Sequence, residues 1–226
     1  MNRLEIPQIL LLVVGGAFII AYMIWYRRAK NKRGSLIKAL AEQNYGAYRP
    51  DSKDFWNHLN KNYLRYKYKG KPSNLVAQDV AGYAVTIFDY AYKIPKSAVV
   101  KLNGIYIKIN DTHCPDLLLT NKQMLDQLPI DQAWTGGRPR IPSEQIPPQF
   151  ADNVSVFAKQ AEQDKVIAYL HQTKGLAKLV LENDFRALAV NQREVAVYHD
   201  KQYAADLAGL EKMVGRARLI ISILGT

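Results

Sequence analysis

Residues 6–26, IPQILLLVVGGAFIIAYMIWY, contain no charged side chain. A helix satisfies its own backbone hydrogen bonds, and this run as a helix would be roughly 30 Å long, the thickness of a bilayer's hydrocarbon core. Pro7 falls in the first turn, where a missing N–H costs little. Tyr22, Trp25 and Tyr26 gather at the C-terminal end, where amphipathic rings favour a membrane interface. The charge ahead of the run is near zero because Arg3 and Glu5 cancel, whereas a secretory signal carries a positive n-region. The run is therefore read as a transmembrane anchor, not a cleaved signal. Gly15-Gly16 is too short a pattern to specify a partner helix.

The formal charge is +11, and much of it sits directly after the run, on Arg27, Arg28, Lys30, Lys32, Arg33 and Lys38. By the positive-inside rule this flank stays in the cytoplasm and the short N-terminus lies outside. The expectation is a single-pass protein of the bacterial inner membrane with a cytoplasmic C-terminal domain. Anionic lipid headgroups are the nearest partner for the basic flank, together with Tyr22, Trp25 and Tyr26. Cys114 is the only cysteine, so no intrachain disulfide can form.

Beyond the anchor, Ser35 is positioned to cap a short helix from Leu36 that Gly46 ends. A helix is expected within residues 52–63. Residues 79–92, DVAGYAVTIFDYAY, read as one strand by their β-branched and aromatic content. Residues 99–102 and 105–109 flank Asn103-Gly104, the strongest hairpin signal in the chain. A strand at 117–119 and a helix capped by Asn121 follow. Residues 129–148, centred on TGGRPRIPSEQIPP, read as a linker. After it come a strand at 154–158, one or two helices over 160–181 interrupted by Gly175, a hairpin around Asn191-Gln192, and a C-terminal helix. In that helix Leu207, Leu210, Val214, Ala217, Ile221 and Leu224 form a short heptad seam; LIISIL could instead form a terminal strand. The expected fold class is α+β: a single N-terminal transmembrane helix, then a mainly antiparallel domain that admits division into two lobes. The organisation is an anchor over 1–35, a first lobe over 36–128, a linker over 129–148 and a second lobe over 149–226.

The segments LIKALAEQNYGAYRP, YKGKPSN and AGYAVTIFDYAY, a hairpin leading into CPDLLL, and the C-terminal helix–hairpin–helix block resemble a loose group of uncharacterised bacterial membrane-anchored proteins. That group combines N-terminal hydrophobic segments with an α+β domain of unknown function. The likeness spans most of residues 36–218, with FDYAY at 88–92 as its most recognisable piece. It implies a fold and a location, and it brings no catalytic residues with it.

Candidate chemistry is sparse. Asp111, His113, Cys114 and Asp116 mix ligand types on one loop but lack the paired spacings of zinc sites, so neither metal nor cofactor is expected. A nucleophilic Cys114 would need a base brought from elsewhere. Asp89, inside FDYAY, is either a carboxylate with a shifted pKa or a structural acceptor. Gly136-Gly137-Arg138 lacks a phosphate-loop pattern. His58, His171 and His199 are scattered and read as structural. The segment 62–71 interleaves Tyr63, Tyr66 and Tyr68 with Arg65, Lys67, Lys69 and Lys71, which suits an ordinary solvated face or an anionic surface; lipid is favoured over nucleic acid, since the domain is expected at a membrane. The leading functional expectation is a membrane-tethered interaction or scaffold domain, with a protein partner or self-association through the C-terminal helix. The alternatives are a peripheral lipid- or nucleic-acid-binding module using 62–71, and an enzyme using Asp89 or the His113/Cys114 loop.

Overall fold

The computed structural model describes the backbone of residues 6–44, 46–51, 53–62, 64, 70–93, 99–109, 114–122, 135–181, 185–200 and 202–224; the side chains of 6–13, 29, 30 and 93 are not described. Its first element, α1 (Ile6–Gln43), is one unbroken helix. Then come β1 (Ala47–Arg49), α2 (Lys53–Lys61), β2 (Lys71–Val80), β3 (Tyr83–Lys93), β4 (Val99–Lys108) and β5 (Leu117–Asn121). The remainder is a single turn α3 (Pro148–Ala151), β6 (Val154–Phe157), α4 (Gln163–Gln172), α5 (Lys174–Val180), β7 (Phe185–Asn191), β8 (Glu194–Asp200) and α6 (Leu207–Leu224).

All eight strands join one antiparallel sheet in the order β1-β2-β3-β4-β8-β7-β5-β6. One face carries Val85, Ile87, Ile105, Ile107, Val195 and Val197, and it packs on Ile37 and Ala41 of α1 and on Leu210, Met213, Ala217 and Ile220 of α6. The other face is aromatic: Phe88, Tyr90 and Tyr198 meet edge to face and are covered by Leu59 of α2 and by Leu64. Both faces are therefore apolar, with period two along each central strand.

These observations correct the expected fold class. Among the described residues, no helix is long and apolar enough to cross a membrane. Arg27 and Arg28 follow the uncharged run within the same helix, which continues until Ile37 and Ala41 are fully buried in the domain. The run is thus the start of a domain helix and not a separate single-pass span. The inferred inner-membrane location, with the N-terminus outside and the domain cytoplasmic, falls with it. Strands from both expected lobes share one sheet, since β4 pairs with β8 and β5 lies between β7 and β6.

Several local expectations change for identifiable reasons. Asn103-Gly104 is not a turn: β4 runs straight through it, pairing Asn103 with Asp89 and with His199. Glycine is needed there because the Phe88 ring lies against the backbone where a Cβ would sit. Residues 79–92 form two strands joined by a tight turn with Ala81 at φ 55° and Gly82 at φ 82°. That is the left-handed pair a two-residue hairpin demands, and Asp79 Oδ1 accepts from the Gly82 N–H (2.9 Å) to close it. Ser35 does not cap a helix; its hydroxyl donates back to the Asn31 and Lys32 carbonyls inside α1. Asn121 belongs to β5, and the helix expected after it falls on 123–128, outside the described residues. The 160–181 stretch breaks at Thr173 (ψ 80°), just before Gly175. The hairpin at 191–194 is present, turning at Gln192 with φ 55°.

Two glycines test this packing with opposite signs. Gly104→Ala forces a methyl into the Phe88 ring and is expected to destabilise by about 1–3 kcal/mol. Gly215→Ala, on the exposed side of α6 with nothing within 4 Å of the added Cβ, is expected to stabilise by up to about 1 kcal/mol. Urea denaturation of the two variants measures both.

Candidate functional site

Four places concentrate polar or exposed groups. The first is Asp89, only 1 % exposed on the helix-covered face of β3. Its carboxylate accepts from Arg33 Nε (2.9 Å) and Nη2 (2.8 Å) and from Asn74 Nδ2 (2.7 Å). The two parallel bonds from Arg33 are the fork geometry in which arginine pairs most strongly with a carboxylate. Arg33 Nη1 also donates to the Tyr203 carbonyl (2.9 Å), and the guanidinium lies 5.0 Å from the Tyr203 ring centroid. Burial works against the Arg33 charge, but the adjacent carboxylate outweighs it and holds the guanidinium more firmly protonated than usual. Arg33, expected among the exposed flank, thus turns inward. Asp89, Asn103 and His199 stand side by side across β3, β4 and β8, all buried. The Tyr203 N–H donates to Asn103 Oδ1 (2.6 Å), which brings the 202–206 segment down on this row.

On the opposite face Glu194 receives Asn62 Nδ2 (2.7 Å) and the Tyr106 hydroxyl (2.9 Å), while His58 Nε2 lies 2.8 Å from its Oε1. This cluster fastens α2 to β4 and β8, so His58 is a hydrogen-bonded structural histidine. His171 is exposed at the end of α4 and His199 is fully buried.

The third place is a cavity of about 910 Å³ between the α4–α5 corner, the Cys114-Pro115 segment and the last turn of α6. Cys114 is 6 % exposed, and burial pushes its thiol up to about 12. An activated nucleophile needs the reverse shift. Beside it the Tyr169 hydroxyl, whose pKa burial also raises, makes no well-directed hydrogen bond although Cys114 and Thr173 adjoin it. The sequence hinted at this cavity only through Cys114 and the helix break near Gly175. Tyr169, Lys165 and Lys174 look like ordinary helix-surface residues in the chain and were missed.

The fourth is the exposed part of α1. Phe18 is 78 % exposed, Ile19 63 %, Ile20 61 % and Trp25 64 %. Tyr22 stacks on Tyr26 at 6.4 Å and lies 6.1 Å from Trp25. Arg27, Arg28 and Lys32 are exposed beyond them. Of the remaining expected residues, Asp116 pairs with Lys159 (3.5 Å) and accepts from the Gln192 N–H. Arg138 is buried and donates to the Val190 carbonyl (3.3 Å). Asp111, His113, Tyr63, Arg65, Tyr66, Lys67, Tyr68, Lys69 and the Lys30 side chain lie outside the described residues, and Lys71 is exposed at the start of β2. Among the described residues, no group of three or more His, Cys, Asp or Glu side chains could hold a metal ion. In α6, Leu210, Ala217, Ile221 and Leu224 of the heptad seam are buried against the domain.

No family model and no curated protein matches this chain. Among solved structures, the crystal structure of the mycobacterial trehalose monomycolate transport factor A, TtfA, is similar with a TM-score of 0.44 at 11 % identity, over 83 % of this chain and 95 % of that one.

Asp89→Ala is expected to cost about 3 kcal/mol, because it leaves Arg33 facing the core without its counter-ion. The double variant Arg33→Met/Asp89→Leu is expected to recover part of that loss, since apolar pairs of similar volume often match a buried ion pair. A double-mutant cycle in urea reads both outcomes. For Cys114, a thiol near 12 carries on the order of a thousandfold fewer thiolates at pH 8 than an unfolded cysteine. Iodoacetamide labelling should accordingly be negligible in the native protein and rapid in urea.

Proposed function

We propose that this protein is a non-catalytic interaction domain whose binding element is the exposed apolar part of α1. The observation that carries this reading is the exposure of Phe18, Ile19, Ile20 and Trp25. Successive helical residues turn about 100°, so these side chains cover several sides of the helix. A helix apolar on all sides is one that something else encloses. The occupant that suits it is a pair of partner helices presenting an apolar face, since a single helix covers only one side. Arg27, Arg28 and Lys32 adjoin the apolar turns, so acidic residues at the matching end of the partner complement them and speed encounter. The same helix is buried at Ile37 and Ala41 and held by Asp89, so a load on the binding turns passes directly to the sheet. Asp89 is committed to Arg33 and Asn74, and the Cys114 thiol resists ionisation; neither side chain supports the enzymatic alternative.

A leucine-faced helical peptide ending in glutamates, followed by fluorescence anisotropy, is the probe. Saturable binding at micromolar concentration is expected, weakened at least about tenfold by Phe18→Asp with Trp25→Glu, which remove central anchors. A peptide ending in lysines should bind about tenfold more weakly. Equal binding of both peptides, or binding indifferent to the substitutions, overturns the reading. So does preferential capture by anionic phospholipid vesicles, which would make lipid the occupant.

A further inference from the structure

The cavity beside Cys114 serves neither the α1 surface nor the Asp89 network. Its shape has a local cause. Thr173 leaves the helical region, so α4 and α5 diverge, while the absent side chain of Gly175 lets α5 approach α6, where an added Cβ would lie 3.1 Å from Ile223 Cγ1. The resulting space of about 910 Å³ is within the ~300–1,000 Å³ typical of small-molecule sites.

Its chemistry is graded from rim to wall. Lys165, whose side chain is 71 % exposed, and Lys174 stand at the rim. Glu162 lies 3.4 Å from Lys165 and offsets one of the two charges. Lys174 forms no ion pair among the described residues. The lining therefore carries one net positive charge, from ammonium groups and not from the planar fork that recognises bidentate anions. Ala168, Ile223 and Leu224 supply apolar wall. The Tyr169 hydroxyl is buried there beside Cys114 and Thr173 without a well-directed hydrogen bond to either, and a carboxylate oxygen is a stronger acceptor for it than a thiol sulfur.

We propose that this cavity binds a small amphipathic monocarboxylate. The apolar body lies on Ile223, Leu224 and Ala168. The carboxylate accepts from the Tyr169 hydroxyl, and Lys174 with Lys165 balances its charge. A dianionic phosphate fits less well, because the lining offers one net charge and no arginine.

Hexanoate is the probe, titrated into the full chain and followed by saturation-transfer NMR. Saturable binding with Kd on the order of 1 mM is expected for a ligand of this size. Hexan-1-ol should bind about tenfold more weakly, and inorganic phosphate should not saturate. Lys165→Ala with Lys174→Ala should weaken hexanoate about tenfold, and Tyr169→Phe about threefold, both with an unchanged far-UV spectrum. No saturation by hexanoate, parity with hexanol, or affinity indifferent to these substitutions overturns the proposal. Hexanoate could also adhere to α1; binding lost in Phe18→Asp/Trp25→Glu but retained in the lysine and Tyr169 variants would assign it there and likewise overturn the cavity site.

Discussion

The Arg33–Asp89 pair is the contact on which the arrangement of the helices over the sheet depends. A carboxylate 1 % exposed in the middle of β3 would be costly unless each oxygen found a donor. Three donor atoms converge on it from two residues, Arg33 and Asn74, and each residue is placed by a different constraint. Asn74 reaches it because β2 carries an irregularity between Ser73 and Val76, with Asn74 itself at φ 51°. Gly34 makes room, since a Cβ there would lie 3.0 Å from the Tyr48 hydroxyl and 3.2 Å from Asn74 Oδ1. Arg33 then sets the rotation of α1, and through the Tyr203 carbonyl it ties α1 to the segment that leads into α6. Apolar contacts at Ile37 and Ala41 stabilise α1 without dictating its rotation so narrowly, because dispersion and apolar burial are non-directional.

The sheet extends this logic to the whole chain. β5 precedes the 129–148 stretch in sequence and β6 follows it, yet the two are neighbours. β4 and β8 join the two halves at the centre of the sheet through seven register pairs from Leu102↔Asp200 to Lys108↔Glu194. Non-local pairing of this kind favours cooperativity across the chain, because β4 and β8 each lose a partner strand when β1–β4 is separated from β5–β8. The aromatic face works in the same direction: the Tyr198 hydroxyl donates to the Leu64 carbonyl (2.8 Å), linking β8 to the segment after α2.

Much of the secondary structure was legible in the chain where a single physical signal dominated. β5, β6, the 191–194 hairpin and α2 follow from alternation, β-branched content and turn residues. The misreadings arose where two signals competed. Asn-Gly is the strongest turn dipeptide, but at 103–104 the glycine answers to the Phe88 ring and the asparagine to the Tyr203 N–H, both long-range partners. The true hairpin at Ala81-Gly82 uses an alanine at positive φ, which propensity disfavours and Asp79 compensates. Ser35 resembles a cap, but α1 is already nucleated by its upstream turns. The apolar run at 6–26 suggested a separate span because charge marks its end in sequence, while the helix itself continues into the core. Asp89 was recognisable as an anomaly inside a strand; its partner was not, since Arg33 lies 56 residues away in a cluster of otherwise solvated bases.

The distribution of ionisable groups bears on what the molecule can do. Two carboxylates are committed to neighbours: buried Asp89 to Arg33, and half-buried Glu194 to His58, Tyr106 and Asn62. Cys114 and Tyr169 are held in their neutral forms by the same burial. A reacting centre requires a group kept near its working pKa and within reach of substrate, and these groups are either paired or shifted away from it. The cations at Arg27 and Arg28 beside exposed apolar turns, and at Lys165 and Lys174 beside a cavity, are by contrast open to solvent. Charge next to apolar surface, with buried polar groups locked in place behind it, is the feature both proposed binding roles draw on: apolar area would supply affinity, and the neighbouring cations would decide which apolar partner is accepted.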